Sequence, residues 1–412
     1  MSVRAPADEK RSLRAPAAVR LVDLEAPAED LVLGEAASGP YLSVLVVARR
    51  GGRPLGLASL PVPPGGTVRS SAVRAAVEEQ LGDVIPMPLN APPATRPTTT
   101  VVVTTCRNPG PLARCLEAIL ACDPAPDEVI VVENRPGSPV VGDMLAERFA
   151  PGTVQYVEEH RRGLSWARNA GLAAATCEVV AFTDDDVVVD PKWVGVLAAA
   201  FARADDVACA TGLILPLRLE TRAQLLLEQF AGFAKGFAPR EWRLSSPDGE
   251  SPLFPYAPGE FGSGANTAVR ASVARALGGF DVTLGMGTPA SGGEELDLYI
   301  RVLKAGHAIS YDPAALLWHD HPEHLERLRS EAFHYGIGLT AMLTKQLVAG
   351  PDRLGMLRRV PAGMRHAADP SSRKNAGKAE DFPRGLERLE RLGMLLGPGA
   401  YLRSLVETAR SS

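Results

Sequence analysis

The stretch Val179-Val180-Ala181-Phe182-Thr183-Asp184-Asp185-Asp186-Val187 runs an apolar, β-branched segment into three consecutive carboxylates. Its first half has the composition of a buried strand. Three adjacent negative charges repel one another, and the repulsion costs folding free energy unless a cation sits among them. Hard divalent cations such as Mg²⁺ and Mn²⁺ take carboxylate oxygens and bridge to substrate phosphates. In an open α/β sheet, ligands bind beyond the carboxyl ends of the strands, where this triplet falls. A metal–diphosphate site is one reading of the triplet; a solvated acidic turn is the other.

Working outward, strands and helices alternate from Thr98 onward, the sign of a mainly parallel sheet flanked by helices. Strands are expected over 100–105, 129–132, 154–157, 178–183 and 207–215, with helices over 165–176 and from Pro191. Residues 1–95 carry two strand candidates, 41–48 and 55–60, and a helix over 70–81. They read as a small accessory α/β module closed by a Pro-rich linker at 86–97. The main unit spans 98–345, and 346–412 forms a helical C-terminal extension. Between Lys345 and Arg391, eleven Lys/Arg face six Asp/Glu. This basic tail reads as a solvated helical face, with a peripheral attraction to anionic lipid or a phosphorylated acceptor as the alternative.

The chain of 412 residues has room for two or three domains. Its formal net charge of −4 gives no global indication of nucleic acid. The polar, Ala/Pro-rich start lacks the apolar core of a secretory signal, and no apolar run reaches the ~18 residues of a membrane span. The five cysteines are odd in number and lack C-x-x-C spacing, so neither disulfides nor zinc are indicated. Their apolar contexts favour buried, reduced thiols and a cytoplasmic protein, at most peripheral to the inner face of a membrane.

Four further segments fall where a nucleotide–metal site needs them. Glu133-Asn134 ends the second strand and offers a carboxylate to a nucleobase imide or ribose hydroxyl, or else begins a polar loop. Gly163 to Gly171 combines small residues, which let a helix approach the sheet, with Arg168, a planar cation suited to phosphate oxygens or an ordinary surface arginine. Phe261-Gly262-Ser263-Gly264 is a glycine loop whose backbone N–H groups can line a pocket. Ser291-Gly292-Gly293-Glu294-Glu295 opens a helix. Ser291 and Glu294 have capping-box spacing, and Asp297 and Arg301 pair at i, i+4 on its polar face. Glu295 has no such structural duty and is placed to act as a general base. Downstream, a strand over 314–318 ends in His319-Asp320-His321, and an imidazole there can complete a metal shell begun by Asp186.

In this order, the segments resemble an inverting family-2 glycosyltransferase with the GT-A fold over residues 99 to about 345. The resemblance implies a nucleotide-sugar donor, a divalent cation (Mn or Mg) on its diphosphate, and a hydroxyl acceptor on a glycan, lipid carrier or small molecule. It implies Asp186 and His319 as metal ligands, Glu295 as catalytic base, and Thr105, Glu133, Arg168, Asp184, Gly264 and Glu294 around the donor. Glu133 and Glu295 stand where the family commonly has Asp, each one methylene longer. The Gln-x-x-Arg-Trp signature of processive synthases is missing, so single additions are expected. A sugar nucleotidyltransferase, or a non-catalytic sugar- or lipid-carrier-binding protein on the same scaffold, are the competing readings.

Overall fold

The computed structural model of the chain describes residues 13–82, 96–231, 233–246, 251–369, 378–379 and 382–411. Most of the expected linker lies outside them. The N-terminal module holds strands β1 (Ala17–Asp23), β2 (Ser43–Arg50) and β3 (Arg53–Pro61) and helix α1 (Ser70–Leu81). The main unit continues with β4 (Thr99–Thr105), α2 (Pro109–Leu120), β5 (Glu128–Asn134), α3 (Val140–Arg148), β6 (Gln155–Glu159), α4 (Leu164–Ala174) and β7 (Val179–Asp184). Then come β8 (Val187–Val189), α5 (Trp193–Arg203), β9 (Val207–Pro216), α6 (Arg222–Ala231), β10 (Arg240–Trp242), β11 (Thr267–Arg270) and α7 (Ala271–Ala276). The chain ends with α8 (Glu294–Lys304), β12 (Ala308–His319), α9 (Leu325–Ala349), α10 (Arg353–Ala368) and α11 (Arg384–Ser411).

The large sheet has the order β6-β5-β4-β7-β11-β9-β12-β8, and β10 also pairs with β12. β6, β5, β4 and β7 are mutually parallel, as are β9 and β12. β11 lies antiparallel between β7 and β9. The sheet is thus parallel-rich and mixed, with helices on both faces. Alternate residues of each strand feed two cores. Val101, Val103 and Val131 meet Leu116 of α2 and Trp193 of α5, while Val102, Val132 and Phe182 meet Leu172 of α4 and Tyr299 of α8. Burial on both faces explains why these strands read as continuous apolar runs rather than alternating ones. Gly171 lets α4 sit against β4, since a Cβ there would overlap the Val102 side chain.

Register then positions the strand ends. Thr104 of β4 is opposite Asp184 of β7, and Thr105 is opposite Glu133 of β5. β8 turns back antiparallel to β12, with Val187 opposite His319, and the Asp320 amide donates to the Asp186 carbonyl at 2.9 Å.

Three local expectations are corrected. Cys115, Cys122 and Cys209 are buried, but Cys106 is exposed and Cys177 half-buried, because both fall in loops just past β4 and α4. Asp297 does pair with Arg301 at 2.6 Å, yet it is fully buried rather than on a polar face. Lys345 Nζ at 2.7 Å and Gln346 Nε2 at 2.8 Å also reach it from α9. Those inward contacts carry α9 unbroken past residue 345, where the sequence suggested a boundary. α11 packs on α9 with near backbone contact, because Gly336, Gly393 and Gly397 leave no side chain between the helices. Among the described residues, no helix is long and apolar enough to cross a membrane.

The N-terminal module shares an interior with the main unit. Leu45, Val47 and Leu57 pack with Leu213 and Leu215 of β9 and Leu316 of β12. Inside this seam Arg53 Nη1 lies 2.9 Å from Asp312 Oδ1, both nearly inaccessible, and Arg203 reaches the other carboxylate oxygen at 3.3 Å. Arg53→Leu should cost less than the roughly 3–5 kcal/mol of a fully broken buried pair, because Arg203 still reaches Asp312. Urea denaturation would show it as a lower midpoint at unchanged slope.

Candidate active site

The three aspartates have separate environments. Asp184 closes β7, and its Oδ1 lies 3.3 Å from Arg168 Nη2. Asp185 turns back toward the loop after β4, accepting from Thr105 Oγ1 at 2.5 Å and Asn108 Nδ2 at 3.1 Å. Burial pushes Asp185 up to about 6 in spite of the Thr105 hydrogen bond. Thr105 is therefore engaged by Asp185. Asp186 faces β12: its buried Oδ1 meets no hydrogen-bond donor and lies 3.5 Å from His319 Nε2. Burial raises the Asp186 pKa, with His319 opposing.

Arg168 is not a surface residue. It is 2% exposed, and its Nη1 donates to Glu294 Oε1 at 2.9 Å, so the guanidinium ties the end of β7 to the start of α8. Gly264 makes this possible: a Cβ there would stand 2.8 Å from both Arg168 terminal nitrogens. The expected capping box does not form. Gly293, at φ 87°, is the N-cap, Ser291 Oγ donates to the carbonyls of Thr288 and Pro289, and Glu294 turns inward to Arg168 instead. Capping-box spacing loses here because a buried guanidinium offers Glu294 a stronger, charge-assisted partner than a backbone amide. Burial and then the neighbouring Glu295 push Glu294 up to about 8, against Arg168. Glu295 itself is half-buried and makes no hydrogen bond or ion pair among the described residues.

Glu133, at the end of β5, is fully buried. Its Oε2 accepts from Tyr156 OH at 2.5 Å, and its Oε1 has no partner. Burial, then this contact, raises the Tyr156 pKa. The structure also brings in groups that sequence reading passed over. Arg327, Glu331 and Tyr335 recur every four residues on α9. Burial raises Glu331, whose charged neighbours include Arg327, His319 and Asp186. Tyr335 is 39% exposed, and Glu331, Glu295 and Asp186 are the charged neighbours that raise its pKa. The i, i+4, i+8 spacing was visible, but nothing local said that α9 folds back over the strand ends.

The arrangement therefore presents an acceptor pair (Asp186 and His319), a fixed cation (Arg168) and an uncommitted carboxylate (Glu295). Glu294 supplies a pH test of the Arg168 bridge. In the folded chain it keeps a proton between its ordinary 4.5 and about 8, which the unfolded chain releases. Unfolding free energy should therefore fall as pH rises through that window. Glu294→Gln should flatten this slope in urea titrations run at several pH values.

The glycosyl transferase family 2 model matches residues 100–248. The pre-mycofactocin glycosyltransferase of Mycobacterium tuberculosis is 30% identical over 258 residues, covering 63% of this chain and 49% of that protein. The glucosyl-dolichyl phosphate glucuronosyltransferase of Haloferax volcanii is 26% identical over 117 residues, 28% of this chain and 37% of that one. The chain spans about half the length, or less, of these curated relatives. Among solved structures, the mannosyltransferase PcManGT of Pyrobaculum calidifontis, in complex with GDP-Man and Mn²⁺, is 18% identical. It aligns over 80% of this chain and 79% of its own, with a TM-score of 0.45. The motif order around the triplet, the α/β sheet that presents it and the sequence match agree over one stretch: residues 100–248 form a glycosyl transferase family 2 domain.

Proposed function

We propose that the chain moves a sugar from a nucleotide-diphosphate donor to an acceptor hydroxyl, one residue per encounter, with inversion at the anomeric carbon. One observation carries the reading. Among the described residues, Glu295 is half-buried and makes no hydrogen bond or ion pair, while Glu294 beside it is held by Arg168. An uncommitted carboxylate at a helix start can take the proton of an acceptor hydroxyl. The deprotonated oxygen then attacks the anomeric carbon from the face opposite the diphosphate, which inverts configuration in a single displacement.

The donor set fits a divalent cation. Asp186 Oδ1 is a buried oxygen without a hydrogen-bond donor, and His319 Nε2 stands beside it, so these two would hold Mn²⁺ or Mg²⁺. Among the described residues, no cluster of three or more His, Cys, Asp or Glu is arranged to hold an ion. An ion held by two protein groups would draw its remaining oxygens from water and substrate, the usual habit of Mg²⁺. When bound, the ion acts as a Lewis acid that offsets the charge on the departing diphosphate. Arg168 holds Asp184 in place for the ribose, and the free Oε1 of Glu133 is the acceptor for a base N–H.

The C-terminal helices support a peripheral membrane contact. Leu392, Leu395, Leu396 and Leu402 form an exposed stripe on α11, and α10 carries four arginines and no carboxylate. Co-sedimentation with anionic vesicles should fall in a Leu395→Glu, Leu396→Glu variant.

The decisive assay is turnover across a panel of nucleotide sugars with Mn²⁺. Glu295→Gln should lower kcat by roughly 10²–10⁴-fold while donor binding persists. Survival of turnover in that variant, with loss in Asp186→Asn, would remove Glu295 from the base role. Retained anomeric configuration in the product, read by NMR, would rule out single displacement.

A further inference from the structure

Behind His319 lies a buried polar chain that no step above uses. His321 is 2% exposed, as is Glu228 of α6. His319 Nδ1 lies 2.8 Å from His321 Nδ1, and His321 Nε2 lies 2.8 Å from Glu228 Oε1. The His321 backbone is held as well, since Gln224, one turn before Glu228, donates to its carbonyl at 3.1 Å. The Phe233 ring packs against both imidazoles, 5.7 and 5.8 Å between centroids. These contacts leave neither ring free to turn.

Hydrogen-bond direction follows from the far end. A carboxylate accepts, so His321 Nε2 carries the hydrogen facing Glu228. A neutral imidazole has one N–H, so His321 Nδ1 is an acceptor and His319 Nδ1 must donate to it. His319 Nε2 is then left with its lone pair, aimed at Asp186 Oδ1. The 3.5 Å between them agrees: it exceeds a hydrogen bond, and Asp186 Oδ1 meets no donor, as expected of two facing lone pairs. The opposite direction would put an N–H on Nε2 and turn a hydrogen toward the place of the cation.

We propose that Glu228 and His321 are positioning residues that fix His319 in the tautomer presenting the Nε2 lone pair to a divalent cation shared with Asp186. The proposal rests on the metal-assisted reading of the site. It assigns α6, outside the strand-end motifs, a part in metal affinity. Carboxylate–histidine pairs behind a metal-binding imidazole typically change affinity by about 10–100-fold.

The test uses the full chain and Mn²⁺ alone. Free Mn²⁺ is followed by electron paramagnetic resonance, and ¹⁵N NMR of the histidine rings separates protonated from lone-pair nitrogens in the metal-free wild type. Expected are a His319 lone pair at Nε2 and a roughly 10–100-fold loss of Mn²⁺ affinity in Glu228→Met. Glu228→Gln, whose amide oxygen can still accept from His321, should restore most of that affinity, which a merely packing role would not require. A hydrogen on His319 Nε2 in the wild type overturns the proposal, and this measurement stands even if Glu228→Met does not fold. Undiminished Mn²⁺ affinity in a folded Glu228→Met also overturns it and leaves the metal reading intact. Absence of Mn²⁺ binding by the wild type removes the metal reading and the proposal together.

Discussion

A single buried guanidinium organises the strand ends of this molecule. Arg168 reaches from α4 across the end of β7 and holds Asp184 with one terminal nitrogen and Glu294 with the other. A cation enclosed by protein is costly unless its hydrogen bonds are satisfied, and buried pairs seldom add much net stability. What the bridge supplies is position. It ties the carboxyl end of a strand to the first residue of a helix more than a hundred positions later. Glu295, one residue beyond the anchored Glu294, gains a fixed origin while its own carboxylate stays uncommitted. Gly264 belongs to the same device, because any side chain there would occupy the space of the guanidinium.

Much of this was legible in the sequence, and the reasons differ by element. The strand at 179–184 and its acidic end could be read because composition and charge change abruptly within nine residues. The helix at 294–304 showed itself by the glycines that open it and by the i, i+4 spacing of Asp297 and Arg301. Both signals are local. The roles of neighbouring carboxylates were not local. Spacing made Glu294 a capping residue, and only the fold shows that its partner is Arg168. Asp185 was given no role apart from its neighbours, yet it anchors the loop after β4 through Thr105 and Asn108. The approach of Glu228 and of the α9 face of Arg327, Glu331 and Tyr335 was missed for the same reason. Their helices reach the site by tertiary packing, and no spacing in the chain encodes that approach.

α9 deserves its place in the site because of what presses on it from both sides. Gly338 seats directly on Gly292 and Gly293, the loop that launches α8, while Gly336 takes the backbone of α11. Lys345 spans Asp281 and Asp297 at 2.5 and 2.7 Å. The C-terminal helices are therefore braced against the turn that carries Glu295, through contacts too close to admit a methyl group.

The common interior of the N-terminal module and the sheet bears on what counts as a unit of inheritance here. The family match begins at residue 100, but the physical unit does not. β9 and β12 turn Leu213, Leu215 and Leu316 toward Leu45, Val47 and Leu57, and Asp312 toward Arg53. A transferase domain excised at the family boundary would carry a raw apolar face and a carboxylate stripped of one cation. Recombination with a different leader would succeed only if that leader brought a matching aliphatic surface and an arginine at its centre. Sequence families can be cut where their similarity ends; this fold cannot.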